Sequence, residues 1–371
     1  MINYDRFLNK KLVDVKPSGI RKFFAIAEEM DNVISLGVGE PDFLTPWHIR
    51  QTGIDYLEQG LTRYTANAGL AELRNEISNF YARNYLVKYD PKSEVLVTVG
   101  GSEGIDMAIR SIIQEGDEVL IIEPSFVCYK PIVEVTGGVA VPVPTYEKND
   151  FKVTPEDIEK AVTDKTKAIV LPYPNNPTGA ILSVNELEAL SDVIIKHNLF
   201  VISDEIYAAL TYTPEGHTTI ATIDGMQERT IIINGFSKTY SMTGWRLGYA
   251  LGPAPIIKQM TKLHQFAIMS APTNSQYAAI DALKNGDFDI MKMRDDYDMR
   301  RRFTVDGFRK IGLDCFEPMG AFYAFPCIKS TGLSSEEFAE KLIKSKRVAV
   351  VPGDAFGESG EGYIRVSYCY S

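Results

Sequence analysis

The sequence predicts an α/β protein with a mostly parallel central sheet, accompanied by a smaller α+β domain. Three observations carry this prediction. Short apolar runs alternate with amphipathic helical patterns through the middle of the chain. Each run is followed by a segment rich in glycine or polar residues. The chain also has 371 residues, more than one hydrophobic core usually organises.

Five apolar runs have the composition of buried strands. Each is about five residues long, rich in Val and Ile, and bounded by Gly, Pro, Asn or Asp. The predicted strands are 95–99, 119–122, 168–171, 199–203 and 230–234. Because crossover helices join strands in parallel, we expect the ligand to lie just beyond their carboxyl ends.

Two helix starts carry recognisable capping signals. Ser183 precedes Glu186 by three residues, which is the spacing of a capping box. Thr154 precedes Pro155, so Thr154 suits the N-cap and Pro155 the first turn. Both helices would connect consecutive strands of the sheet.

The two ends of the chain predict a separate, mixed region. Residues 294–310 have a highly charged helical pattern, and the stretches GAFYAFP and GYIRVSY predict short strands. We therefore expect a large domain at 46–285 and a small α+β domain built from 1–45 together with 286–371.

Composition excludes several classes of function. The net charge is −10, from 39 basic and 49 acidic residues, and no Lys/Arg cluster suggests a nucleic-acid surface. Four scattered cysteines suggest neither a disulfide framework nor a metal site. No apolar stretch has the length of a membrane helix or the form of a targeting segment. We expect a cytoplasmic protein without metal, membrane or nucleic-acid partners.

Lys238 follows the fifth predicted strand, and two interpretations of it are open. It could be an ordinary strand-end lysine that reaches solvent. If it is desolvated instead, its lowered pKa would suit a nucleophilic amine that forms a Schiff base. Arg246, eight residues later, could bind a phosphate with both arms of its guanidinium.

The other strand ends are equally open when taken singly. The glycines of 100–104 could serve tight packing, or could free backbone N–H groups for an anion. Residues 175–179 suit a turn, or an amide that hydrogen-bonds a phenolic oxygen. Asp204 could form a buried ion pair or cap a helix, or could keep a pyridinium nitrogen protonated. Neither a dinucleotide fingerprint nor a P-loop is present.

Together these segments resemble a known family. GGSEG, PNNPTG, SDEIY, FSKTYSMTGWRLGY and YIRVSY occur in the order found in fold-type I pyridoxal-phosphate (PLP) aminotransferases of the aspartate/aromatic class. SGIRKF near the start and SMTGWR resemble the bacterial branch that includes N-acetyl-diaminopimelate and aromatic aminotransferases. The resemblance implies a mostly parallel seven-stranded sheet flanked by helices, with PLP as cofactor.

The resemblance also implies roles for residues around the cofactor ring. Lys238 would be the Schiff-base lysine and proton shuttle, and Asp204 would pair with the pyridine nitrogen. Asn176 and Tyr207 would hydrogen-bond the phenolic oxygen, while Phe126 would stack on the ring. Lys238, Asp204 and Tyr207 are thus the expected catalytic residues.

Further roles concern the phosphate, the substrate and the neighbouring subunit. The expected phosphate ligands are the backbone at Gly101, Ser102 and Glu103, with the side chains of Ser237 and Arg246. Tyr64 would reach the phosphate of the neighbouring subunit, which implies a homodimer with shared active sites. Arg365 would bind the substrate α-carboxylate, with Gly39 and Asn176 alongside, and Phe322 would help to line the pocket.

Three positions depart from the family pattern. Gly235 stands where relatives often have Ser, which removes one phosphate contact. Ser102 stands where some bacterial aspartate aminotransferases have a lysine that binds the distal carboxylate, so aspartate specificity is not supported. Relatives usually have a last helix after the YIRVSY strand, whereas this sequence ends at Ser371. Side-chain recognition is expected from loops and from the region of Ile20 and Arg21.

The expected activity is ping-pong transamination between an amino acid and a 2-oxo acid. The donor would be aromatic, aspartate-like or of the diaminopimelate type. One alternative is a PLP-dependent C–S β-lyase on the same fold, since the same cofactor chemistry can expel a β-substituent. A second alternative, a non-catalytic PLP-binding regulator domain, lacks the expected helix-turn-helix with a basic surface.

Overall fold

The computed structural model describes residues 2–15, 30 and 32–370. Its strands are β1 (Ile34–Ser35), β2 (Val95–Thr98), β3 (Glu118–Glu123), β4 (Val139–Pro144), β5 (Thr166–Leu171), β6 (Phe200–Asp204), β7 (Thr230–Gly235), β8 (Gly248–Leu251), β9 (Tyr323–Ala324), β10 (Val348–Ala349), β11 (Val351–Pro352) and β12 (Ile364–Ser367).

Helices connect these strands and cover the sheet. They are α1 (Lys10–Asp14), α2 (Trp47–Glu58), α3 (Ala71–Tyr85), α4 (Gly100–Ile112), α5 (Tyr129–Thr136), α6 (Pro155–Ala161), α7 (Val184–Lys196), α8 (Phe236–Thr239), α9 (Ala254–Ala267), α10 (Thr273–Asn285), α11 (Asp287–Lys310) and α12 (Ser335–Lys346). The 24-residue helix α11 contains the predicted charged helix at 294–310.

The central sheet has seven strands in the order β2-β8-β7-β6-β5-β3-β4. Four of its six pairings are parallel, and only β8 runs antiparallel to its neighbours β2 and β7. All five predicted strands belong to this sheet. The predicted fold class, a mostly parallel seven-stranded sheet flanked by helices, is therefore confirmed.

Two strands of the sheet were not among the five runs found in the sequence. β4 has the sequence VAVPVP and lies at the edge, where Pro142 and Pro144 are tolerated because their missing N–H groups need no partner. β8 is short, begins with Gly248, and lies between β7 and β2. Neither strand shows the long Val/Ile run that marks the others.

The predicted helix starts are present. Ser183 caps α7, and Glu186 completes the capping box by accepting the backbone N–H of Ser183. Thr154 caps α6, with Pro155 in the first turn and Asp157 completing a second capping box. These caps fix the residues at which the two crossover helices begin.

The sheet is buried on both faces, as parallel sheets require. Along β2, Val95 and Val97 pack into one hydrophobic cluster, with residues of α2, α3 and α10. Leu96, between them, packs into another cluster with residues of α4 and α9. The sheet is thus held between two helical layers.

Residues from both ends of the chain meet beside this core. β1 pairs in parallel with β10, and β11, β12 and β9 form a three-stranded antiparallel sheet. The GAFYAFP and GYIRVSY stretches supply β9 and β12, as predicted. The division into domains at 46 and 285 stays a prediction. Within the described residues, no helix is both long and apolar enough to span a bilayer.

Candidate active site

A cavity of about 1000 Å³ lies at the carboxyl ends of the parallel strands. It brings together residues from all five polar segments that follow the predicted strands, and others from both chain ends. The predicted site residues that line it are Gly39, Gly101, Ser102, Phe126, Asn176, Asp204, Tyr207, Ser237, Lys238, Arg246 and Arg365.

Three predicted site residues do not line this cavity. The Glu103 side chain points instead to the backbone N–H of Val99 and to His264. Phe322 is fully buried behind the cavity wall, with its ring edge-on to Tyr207 and its centroid 5.7 Å from Lys238 Nζ. Tyr64 is 82% exposed on the surface. Their expected roles stay predictions.

Lys238 lies on the short helix α8, which begins directly after β7. Its Nζ donates a hydrogen bond of 2.6 Å to the carbonyl oxygen of Gly39. Burial lowers the pKa of this amine to about 8, because the charged form loses its hydration. A neutral amine is thus accessible near physiological pH, as a nucleophile requires.

Asp204 is the last residue of β6 and is buried. The Tyr129 hydroxyl donates to its Oδ2 at 2.6 Å, and the Ile206 N–H donates to its Oδ1 at 3.2 Å. Burial nevertheless raises the pKa of this carboxyl to about 6. The hydrogen-bond donors around it are neutral, so a cationic ring nitrogen would supply the positive partner that favours the ionised form.

Tyr207 lies just beyond β6 and shares a hydrogen bond of 2.8 Å with the hydroxyl of Tyr323. Burial raises the pKa of the Tyr207 phenol, which therefore stays protonated and can donate a hydrogen bond. Asn176 lies nearby in the PNNPTG turn, which Asn175 closes by accepting the N–H and hydroxyl of Thr178. The cavity thus contains a phenol and an amide suited to a phenolic oxygen.

The start of α4 is built to hold an anion. Its N-cap residue, Val99, offers no side-chain hydrogen bond to the first turn. Gly101 and Ser102 line the cavity, and no N-cap side chain occupies the N–H groups of this first turn. At Gly100, where φ is +77°, an added Cβ would lie 2.7 Å from Arg246 Nη2. Glycine thus lets the guanidinium approach the helix start closely.

Arg365 extends from β12 into the cavity and is almost fully buried. Its Nη1 donates to Asn176 Oδ1 at 2.9 Å, and its Nη2 donates to the Gly37 carbonyl at 2.6 Å. Its guanidinium also lies 4.4 Å from the ring centroid of Tyr323. Its Nε has no hydrogen-bond partner among the described residues. A fixed, buried guanidinium with a free donor suits a carboxylate ligand.

The donor set fits PLP. The uncapped helix start with Arg246 would hold the phosphate, and Asp204 would face the ring nitrogen. Lys238 would reach the aldehyde carbon, and Arg365, which lines the same cavity, would bind a substrate carboxylate. No group of His, Cys, Asp and Glu in the described chain has the arrangement of a metal site.

Several cavity residues were missed in the sequence. Tyr129 and Tyr323 hydrogen-bond to Asp204 and Tyr207, while Glu40 and Thr243 line the cavity and hydrogen-bond to each other. The remaining lining residues are Val33, Ser35, Val38, Ile105, Pro172, Pro174 and Ile206. Tyr129 lies three residues after Phe126, and Tyr323 follows Phe322, so extending the same motifs would have included both. Ile20 and Arg21 lie outside the described residues.

Comparisons with known proteins agree with this geometry. The family model Aminotransferase class I and II matches residues 31–371. An aspartate aminotransferase of Pyrococcus abyssi is 46% identical over 363 residues, which cover 97% of this chain and 93% of that protein. The aromatic-amino-acid aminotransferase 2 of Thermococcus litoralis is 44% identical over 363 residues, with the same coverage of 97% and 93%.

A solved structure shows the same architecture. The crystal structure of an aromatic aminotransferase from Pyrococcus horikoshii matches with a TM-score of 0.90 at 44% sequence identity. The match covers 95% of this chain and 94% of that chain. The similarity therefore includes the central sheet, the cavity and the elements contributed by the C-terminal part of the chain.

Proposed function

The chain belongs to the class I and II aminotransferases, which use PLP, and from this premise we propose which side chains carry its reaction and which donors it accepts. It is a transferase that moves an amino group between an amino acid and a 2-oxo acid. One observation carries the residue assignment: Lys238, Asp204 and Arg365 line a single cavity. Bound PLP supplies an electron sink for the charge that develops at the substrate Cα.

Lys238 is the residue that would hold the cofactor covalently and move the proton. Its Nζ is buried and has a pKa of about 8, so it can take a proton from the substrate Cα as a general base. The Gly39 carbonyl holds Nζ at 2.6 Å and orients the amine within the cavity. Once it carries the proton, the same Nζ is the general acid of the step that follows.

Asp204 and Tyr207 are the residues that tune the cofactor ring. Asp204 would hold a proton on the ring nitrogen, and Tyr129 orients the Asp204 carboxylate by donating to its Oδ2. Tyr207 and Asn176 would donate to the phenolic oxygen, and Phe126 would cover one face of the ring. Asn176 can do this while its carbonyl oxygen accepts from Arg365, because its amide nitrogen remains a separate donor.

The phosphate and the substrate carboxylate are bound by different groups. Gly101 and Ser102 present backbone N–H groups to the phosphate, with Ser237 and Arg246 as side-chain donors. The substrate α-carboxylate binds Arg365, whose Nη atoms are already held by Asn176 and Gly37. Ping-pong turnover follows, since donor and acceptor use one site in succession.

The donor that we propose has an uncharged, preferably aromatic side chain. Lys238, Arg246 and Arg365 are the cations that line the cavity in the described part of the chain, and all three have assigned roles. Ser102 occupies the position where a lysine would bind a distal carboxylate. Relatives named for aspartate, for aromatic amino acids and for N-acetyl-LL-diaminopimelate are all similar to this chain, so aspartate-like and diaminopimelate-type donors remain the candidates to compare.

We also propose that the protein acts as a homodimer in the cytoplasm. Tyr64, Phe266 and Met269 are exposed by 82%, 86% and 46%. Asn67, three residues after Tyr64, donates from Nδ2 to the Met269 carbonyl at 2.8 Å, so the loop that carries Tyr64 contacts the segment that follows α9. An apolar surface of this kind favours burial against a second copy. The cytoplasmic location rests on the spacing of the four cysteines.

A donor panel tests the activity and the substrate together. Purified protein with PLP is incubated with 2-oxoglutarate and single amino acids, and glutamate formation is measured. We expect kcat/KM for phenylalanine or tyrosine to exceed that for aspartate. Equal or greater activity with aspartate would contradict the proposed donor class. Pyruvate and ammonia from a cysteine conjugate, without amino transfer, would favour the β-lyase, which the names of the similar proteins do not support.

A further inference from the structure

A buried carboxylate–imidazole pair lies directly behind the proposed phosphate site. Glu103 belongs to the first turns of α4, and His264 lies on α9. Glu103 Oε1 is 2.8 Å from His264 Nδ1, and His264 is fully buried. Neither side chain lines the cavity. The chemistry assigned to the cavity therefore leaves this pair unexplained.

The other oxygen of Glu103 closes the turn before α4. Oε2 accepts the backbone N–H of Val99, the N-cap residue, at 2.5 Å. The contact resembles the reciprocal half of a capping box, in which an acidic N3 side chain accepts the N-cap N–H, but Glu103 makes it from one position later. The other half is missing, because Val99 has no side chain that could accept from Gly101 or Ser102.

The missing half has a consequence for ligand binding. A Ser, Thr or Asp at the N-cap would fix the turn and would occupy an N–H group that the phosphate needs. Glu103 fixes the turn from behind and leaves those N–H groups free. The helix start can then be rigid and uncapped at once, which a cofactor phosphate site requires.

His264 fixes Glu103 in turn. Glu103 Oε1 and His264 Nδ1 share one hydrogen bond, and an ionised carboxylate can take part in it only as the acceptor. Nε2 of His264 is buried and has no partner among the described residues. The imidazole therefore hydrogen-bonds only to Glu103 among the described residues, through Nδ1. The helices α9 and α4, which carry the two side chains, pack against each other.

We propose that Glu103 and His264 are positioning residues for the cofactor phosphate. They hold Val99 and the start of α4 so that the N–H groups at Gly101 and Ser102 point into the cavity. This inference rests on the proposed phosphate site. It assigns the side chain of Glu103 a role distinct from that of the backbone N–H groups beside it.

The test compares PLP affinity in four variants of the full-length enzyme. The dissociation constant is measured from the visible absorption of bound PLP during stepwise dilution of the holoenzyme. We expect His264→Leu to raise this constant about tenfold, because it leaves a buried carboxylate oxygen without its donor. His264→Asn keeps a donor at the position of Nδ1, so it should restore affinity to within about threefold of wild type.

Met260→Ala is the matched control for damage to α9. Met260 is fully buried one helical turn before His264 and belongs to the hydrophobic cluster between α9 and α4. It should lower the melting temperature and leave the PLP dissociation constant unchanged. Equal weakening by His264→Leu and Met260→Ala, or wild-type affinity in His264→Leu, would overturn the positioning role.

Arg246→Ala separates the inference from its premise. If Arg246→Ala weakens PLP binding and His264→Leu does not, the phosphate site stands and the positioning role is wrong. If neither variant weakens PLP binding, the phosphate site itself is misplaced and the inference falls with it. If both weaken it and His264→Asn restores it, the positioning role is supported.

Discussion

Burial moves the pKa values of the two central ionisable groups in opposite directions. It lowers the pKa of Lys238 to about 8 and raises that of Asp204 to about 6. Both shifts disfavour the charged form, because each side chain has lost its hydration. For the lysine this gives a reactive neutral amine. For the aspartate it means that the ionised form needs a positive partner, and the protonated ring nitrogen of PLP can be that partner.

The shift at Lys238 predicts how PLP uptake by the cofactor-free protein depends on pH. Attack by Nζ needs the neutral amine, whose fraction rises about tenfold per pH unit below the pKa and levels off above it. With a pKa of about 8, we expect the uptake rate to rise up to pH 8 and then become constant. Stopped-flow absorption measures this rate. A rate that keeps rising to pH 10 would indicate an ordinary, solvated lysine.

Arg365 should control substrate binding with little effect on the cofactor. Arg365→Ala removes a buried, prepositioned guanidinium, so we expect kcat/KM for the amino donor to fall about 10²-fold, mainly through KM. Arg365→Lys should recover only part of this loss, because an ammonium lacks the planar fork. Steady-state kinetics measure both variants. Loss of the visible PLP absorption in Arg365→Ala would show that the residue serves the cofactor instead.

For single residues, the sequence predicts the site positions that follow strands but not the side chains that hydrogen-bond to them. Lys238, Asp204 and Asn176 could be found because each follows a recognisable strand, and parallel strands end at one edge. Tyr129 and Asp204 are 75 residues apart, and Tyr207 and Tyr323 are 116 apart. No local pattern contains such pairs, since they form only when separate elements pack together.

Among the strands and helices, β8 connects the central sheet most directly to the proposed phosphate site. It runs antiparallel between β2 and β7 and packs against the start of α4. At Gly248 an added Cβ would lie 2.6 Å from the carbonyl carbon of Gly100 and 2.7 Å from the nitrogen of Gly101. The turn that we propose for the phosphate therefore rests directly on the backbone of this strand.

This contact predicts the effect of a single methyl group. Gly248→Ala should displace the start of α4, lower the free energy of unfolding by about 1–3 kcal/mol and weaken PLP binding. Gly244→Ala is the matched control, since a Cβ there would meet nothing within 4 Å. It should change stability by less than about 0.5 kcal/mol. Denaturant unfolding and PLP titration measure both effects, and similar behaviour of the two variants would contradict the packing argument.

The elements missed in the sequence share a physical cause. β4 tolerates its prolines only because it is an edge strand, and edge position depends on the order of all the other strands. β8 is four residues long and is stabilised by its two neighbours rather than by its own composition. The capped helices α6 and α7 could be predicted, because their signals are local.

For the whole molecule, the exposed loop that carries Tyr64 is the feature that one chain does not explain. Tyr64 is not among the cavity-lining residues of its own chain and is 82% exposed. In the proposed homodimer it would complete the phosphate site of the neighbouring subunit. Each active site would then need residues from two chains, so activity would depend on assembly.

Mixed dimers test this sharing. Lys238→Ala subunits lack the central amine, and Tyr64→Ala subunits should bind PLP weakly in a pure dimer. In a mixed dimer, the site that retains Lys238 receives an intact Tyr64 from its partner. At limiting PLP, a one-to-one mixture after subunit exchange should therefore regain about a quarter of wild-type activity. Activity no greater than the average of the two pure variants would show that the sites are not shared.

The most direct test concerns Lys238 itself. Lys238→Ala should lose the visible absorption of covalently bound PLP, and its turnover should fall by about 10³-fold or more. Lys284→Ala, which removes a surface lysine paired with Glu72, is the matched control and should behave as wild type. Absorption spectra of the two purified variants with equal PLP decide the question. Unchanged visible absorption in Lys238→Ala would contradict the assignment on which the account of this site depends.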